Sequence, residues 1–237
     1  MKKTMVKKTM HRRRKVMRQK GAAPVKNEIR NSDSKLSGKE SLISVRMNPF
    51  PERFKCCLKF SEQVGWSGGA SVNEIHYRAN GAYDPRYAVG GGSCRYFTEM
   101  AALYSNYIVT GCKYKVSNLN TSASTCWLFT DVGSGALSFG SLDDLFEQPD
   151  SRKVQCTYGN NNGSYKSLSG FINPAKVIGN TNQQYYINTE ATGATTTSNP
   201  TVQAILYIAV ASIDASNVSG FCRIELCYDI EFFNRKV

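Results

Sequence analysis

The chain has 237 residues, 41% hydrophobic and 20% charged, with 30 Lys or Arg against 18 Asp or Glu and a formal net charge of +12. That length admits one large domain or two small ones, and so large a basic excess points to a polyanionic partner. No stretch approaches ~20 uninterrupted apolar residues, which excludes a membrane-spanning helix from the expectations.

The charge is concentrated at one end. Residues 1–46 hold 15 of the 30 basic side chains and 3 of the 18 acidic ones, while the remaining 191 residues hold 15 of each sign. Lys2, Lys3, Lys7, Lys8, Arg12, Arg13, Arg14, Lys15, Arg18 and Lys20 occur without one acidic residue among them. Such a segment buries too little apolar surface to offset its ordering entropy, so it is expected to be a disordered arm. These ten cations are the candidate nucleic-acid contacts, acting through charge. Arg12, Arg13, Arg14 and Lys15 also form a candidate nuclear localisation signal. No apolar h-region follows the charges, so a secretory signal is not expected, and the arm lacks the amphipathic periodicity of a transit peptide.

Residues 21–46 form a Ser/Lys/Asn-rich linker, and the chain from 47 to 237 is expected to be one domain. Phe54, Cys56, Leu58 and Phe60 alternate with Lys55, Cys57 and Lys59, the period of a half-buried strand, which Gly65, Gly68 and Gly69 are expected to break. A second strand spans Val72–Ala79, and Asn80–Pro85 reads as a turn. Gly90–Gly92 lack the Lys-Ser/Thr of a phosphate loop and are read as a flexible connection. Phe97, Met100, Ala101 and Tyr104 then give one apolar stripe on a short helix near Arg95–Tyr104.

Strands follow at Tyr107–Asn118 and Thr125–Val132, and Ser141-Leu-Asp-Asp144 opens a second helix with a capping box. Weaker strands at Arg152–Tyr158 and Ser164–Phe171 flank an Asn-rich turn. Residues 172–200 read mostly as loop, and Thr201–Ile213 and Phe221–Phe233 complete eight strands. Eight antiparallel strands with long connections and two short helices predict an all-β jelly-roll sandwich.

The eight cysteines include no Cys-x-x-Cys pair, and with only His11 and His76 available no zinc site is assigned. They are read as small apolar core residues of a reduced protein. No catalytic residue is assigned either: His76 lies mid-strand, Asp143 and Asp144 suit a helix N-terminus, and Trp127 and Phe129 read as core or interface. No enzyme activity, metal or cofactor is expected.

The basic arm, the Lys-alternating first strand and Asn80-x-x-x-Asp84-Pro85 form part of a wider pattern. It continues through Tyr104-x-x-Tyr107-x-Val109-x-Gly111-x-Lys113 and the final Ile-x-Leu-x-Tyr-x-Ile-x-Phe-Phe strand before Asn-Arg-Lys. Together these resemble the single-jelly-roll capsid proteins of small circular, Rep-encoding single-stranded DNA viruses, the circovirus type. The resemblance implies a homo-oligomer of on the order of 60 copies in a closed icosahedral shell. It also implies a packaged single-stranded DNA genome, and residence in the virion and, during assembly, in the host nucleus. A host receptor is left unassigned. Capsids of small single-stranded RNA satellite viruses share the plan, and a lectin-like binding module is the non-viral alternative. Jelly-roll order would set the last strand between the first and the Tyr107–Asn118 strand. Lys55, Lys59, Lys113 and Lys115 would then face Glu225, Asp229 and Glu231 in mutually neutralising pairs, leaving the body little affinity for nucleic acid.

Overall fold

The computed structural model describes residues 50–68, 72–88, 91–135, 138–157, 165–214 and 216–236. Two antiparallel sheets face one another. The first contains β1 (Phe54–Gly68), β9 (Val218–Arg235), β3 (Tyr104–Asn120) and β6 (Tyr165–Ile172) in that order, with the two-residue β7 (Ala194–Thr195) paired to β3. The second orders β2 (Asn73–Arg78), β8 (Ile205–Ser212), β4 (Cys126–Gly133) and β5 (Arg152–Cys156). Apart from β7, the chain crosses between sheets at every step except β4 to β5. That is jelly-roll order, and the last strand lies between the first and third as expected.

Alternation builds the interior. In β9 the even-numbered residues Cys222, Ile224, Leu226, Tyr228, Ile230 and Phe232 point inward, meeting Tyr107, Val109, Cys112 and Val116 of β3 and Leu128, Ile208 and Val210 of the second sheet. Burying this apolar surface supplies the main driving force for closing the sandwich. Tyrosines that enter the core keep a polar partner. Tyr228 donates to the carbonyl of Arg78 at 2.7 Å, and Tyr77 donates to Glu62 Oε2 at 2.7 Å. β8 is buried along its whole length because its outer side is also covered. There Phe129, Ile205, Tyr207 and Ala209 pack under Phe139 and Leu145. Leu145 belongs to α2 (Leu142–Glu147), whose expected capping box forms between Ser141 and Asp144. The other expected helix is α1 (Phe97–Leu103).

Three expectations need correction. β1 does not break at Gly65 but stays paired with β9 through Gly68, because the ring of Phe221 lies over Gly65 and supplies the packing that glycine lacks. Residues 172–200 are not mostly loop. They carry α3 (Pro174–Val177), α4 (Asn182–Ile187) and α5 (Thr189–Thr192). Asn173 caps the first, and Thr181 and Gln184 close a capping box on the second. Last, Cys57 and Cys227 are not core residues. Both occupy odd, outward positions, and the antiparallel register sets them diagonally across β1 and β9, where they form a disulfide with Cα atoms 6.4 Å apart. The remaining six cysteines are free, five of them buried. Burial pushes the Cys94 and Cys112 thiols well up, so they are packing residues and poor nucleophiles.

Candidate nucleic-acid interface

The ten arm cations Lys2, Lys3, Lys7, Lys8, Arg12, Arg13, Arg14, Lys15, Arg18 and Lys20 lie outside the described residues. Within the body, the two outer sheet faces differ. That of the second sheet is apolar and covered over β8 and β4, and carries Glu74 and His76 of β2 and the exposed Lys153 and Gln155 of β5 at its margins. Among the described residues, that of the first is covered only where β9 ends: Ile108 packs there with Ala175 of α3, Tyr185 of α4 and Phe233. Toward the other end of β9 the face is open.

The register arranges this open face in four rows, each crossing β1, β9, β3 and β6. The first reads Lys59, Cys227, Lys113, Phe171 and the second Ser61, Glu225, Lys115, Ser169. The third reads Gln63, Arg223, Ser117, Ser167 and the fourth Gly65, Phe221, Leu119, Tyr165. With about 3.3 Å of rise per residue, the four rows span roughly 20 Å. A shallow cleft of about 290 Å³ is bordered by Lys59, Lys113, Lys115 and Glu225. The rings bordering the polar rows face solvent: Phe171 is 58% exposed, Tyr165 53% and Phe221 47%. Phe171 lies against Gly111, where an added Cβ would meet its ring atoms at 2.8 Å, so glycine provides the seat for that ring.

The expected neutralisation of the sheet lysines is only partly realised. Glu231, 3% exposed, accepts from Arg53 at 2.9 Å and lies 3.3 Å from Lys55. Lys59 and Lys113, however, both flank Cys227, and Lys115 faces a Glu225 that pairs with Arg223 at 3.5 Å. Among the described residues Lys59, Lys113 and Lys115 make no ion pair within 4.0 Å. Alternation showed which residues share the face, but the register decides which stand opposite. One bulge between Val109 and Gly111 helps set it. Ser117 adds a further unmet group: it is 1% exposed, and its hydroxyl has no hydrogen-bond partner.

Other clusters have structural roles. His76 lies edge-on to Tyr207, with ring centroids 5.0 Å apart, and its Nε2 is 3.2 Å from Glu74 Oε2, an ion-pair distance without hydrogen-bond alignment. Asp144 accepts from the backbone of Gly140 and Ser141 as a helix cap. Trp127 and Phe129 pack on Phe146, with centroids 5.2 and 5.3 Å away. Among the described residues no group of three or more His, Cys, Asp or Glu is placed to hold a metal ion, and no helix is long and apolar enough to cross a membrane.

No family model matches the sequence, and no curated protein matches it. Solved structures overlap it in part. A chain of turnip yellow mosaic virus is 8% identical and superposes with a TM-score of 0.42, covering 79% of this chain and 97% of its own. The decameric BFDV capsid protein is 10% identical with a TM-score of 0.42, covering 76% and 99%. A semi-empty virus-like particle of the giant freshwater prawn nodavirus is 8% identical with a TM-score of 0.41, covering 84% and 92%. At such low identity the fold rests on this chain's own strand order.

Proposed function

We propose that this chain is the subunit of a small icosahedral shell, in which residues 47–237 form the wall and residues 1–46 neutralise a packaged single-stranded DNA. One observation carries the reading: the net +12 resides in residues 1–46, ahead of a jelly-roll body whose charges balance. Such a division suits two tasks, self-association without long-range repulsion and sequence-independent capture of phosphate. Each arm cation that meets a phosphate releases counterions, so binding depends on charge and weakens with salt. Shells of on the order of 60 copies would bring about 700 positive charges to a strand carrying one negative charge per nucleotide. Arg12, Arg13, Arg14 and Lys15 additionally serve nuclear entry.

The test compares the full chain with a version lacking residues 1–46. Electron microscopy should show shells from the full chain, and absorbance should show nucleic acid that the shortened chain no longer holds. DNase, not RNase, should digest the packaged strand. Absence of shells across varied salt and pH, or unchanged nucleic-acid content without the arm, would refute the assignment. Digestion by RNase alone would assign the shell to an RNA genome.

A further inference from the structure

We propose that the open outer face of the β1–β9–β3–β6 sheet is a second, ordered site for single-stranded nucleic acid, with phosphates over the cleft of Lys59, Lys113 and Lys115 and bases against Phe221, Tyr165 and Phe171. The proposal rests on the shell reading for the presence of a strand, and adds to it a body contact that the arm alone does not require.

Three features of the face point to this occupant. The first is charge: three lysines border one cleft against a single carboxylate, Glu225, which pairs with Arg223, and among the described residues none of the three makes an ion pair, whereas Lys55 on the same strand as Lys59 is paired. Unpaired lysines held side by side repel each other and are relieved by an anion. Secondly, the rings are exposed at the margins of these polar rows, where a protein surface ordinarily carries polar groups. Aromatic side chains beside a basic groove are the usual platform for unpaired bases, since every unpaired base offers a face to stack on, whereas bases in a duplex are already stacked on their neighbours. The third is rigidity. The face is built on the three longest strands of the fold and stapled by Cys57–Cys227, so the backbone positions that carry Lys59, Lys113 and Lys115 are fixed. A covering copy of this chain would instead need acidic or apolar complementarity to three lysines and an arginine.

The experiment uses the full chain with fluorescein-labelled 20-mers of oligothymidylate, oligouridylate and duplex DNA, followed by fluorescence anisotropy across a sodium chloride series. In Lys59→Gln/Lys113→Gln/Lys115→Gln the slope of log affinity against log salt for the single strands should fall by about 2, near 0.7 for each phosphate that is no longer neutralised. Phe221→Ala should weaken single-strand binding about fivefold or more while leaving that slope and duplex binding unchanged. Independently of any variant, light-induced crosslinking of bromodeoxyuridine oligomers to the unmodified chain should label Phe221, Tyr165 or Phe171. Crosslinks confined to residues 1–46 together with an unchanged slope would overturn the proposal and leave the shell reading standing. Failure of the unmodified chain to bind any single strand would overturn both. A triple variant that sediments differently without oligomer would show the face buried between copies, also against the proposal.

Discussion

Gly220 sits where three parts of the first sheet converge. A Cβ there would approach the Leu119 carbonyl oxygen to 2.2 Å and the Trp66 ring to 2.7 Å, and neither backbone nor a buried indole held by Asn118 at 2.9 Å can retreat. Gly220→Ala should therefore cost about 3 kcal/mol, read as a lowered urea midpoint with Trp66 fluorescence as the probe. Asp131 offers a pH test. Burial, with a smaller contribution from Asp150, holds its carboxyl above the ordinary 3.8, although the Val132 amide opposes this. A raised carboxyl pKa weakens folding above the raised value, and the penalty disappears below 3.8, where both folded and unfolded forms are protonated. Asp131→Asn, which keeps the acceptor for Val132, should raise the melting temperature at pH 7 and leave it unchanged at pH 3.

At the scale of elements, α4 shows how a short helix shapes the face. Its capping box fixes the start, and Tyr185 then donates to the Val109 carbonyl at 2.9 Å, closing one end of the outer face over Ile108. Thr181→Ala should destabilise the fold by about 1 kcal/mol and speed amide exchange in residues 182–187 ahead of the rest. The Thr-x-x-Gln spacing was present in the sequence as a cap signature, but six helical residues carry too little periodicity to stand out in an Asn/Thr-rich stretch. Long strands behave oppositely. The alternation of β9 over a dozen residues could be read without tertiary information, although β9 and β3 each run a few residues beyond the expected ends, and their glycine-rich neighbour β1 was cut short at Gly65 because what lies over a glycine belongs to another strand.

For the whole molecule, the arm and the body should separate in their salt dependence. Replacing Arg12, Arg13, Arg14 and Lys15 with glutamine should remove about 3 from the salt slope of single-strand binding and abolish nuclear accumulation of a fluorescent protein fused to residues 1–20. The charge partition, the two-sheet architecture and most of the core were legible in the sequence, because they depend on composition and on alternation along the chain, whereas the placement of the last strand followed from the jelly-roll order that the resemblance implied. The partnering of Lys55 with Glu231, the solitude of Lys59, Lys113 and Lys115, and the meeting of Cys57 with Cys227 were not. Alternation tells which side of a sheet a residue occupies, whereas its neighbour on that side is fixed by register, bulges and strands more than a hundred residues away. The sequence by itself determined that a polycationic arm precedes a charge-balanced jelly roll. Only the tertiary structure decided that the body keeps a basic, ring-bordered face of its own, because cross-strand distance, and not charge count, determines which cations remain unpaired.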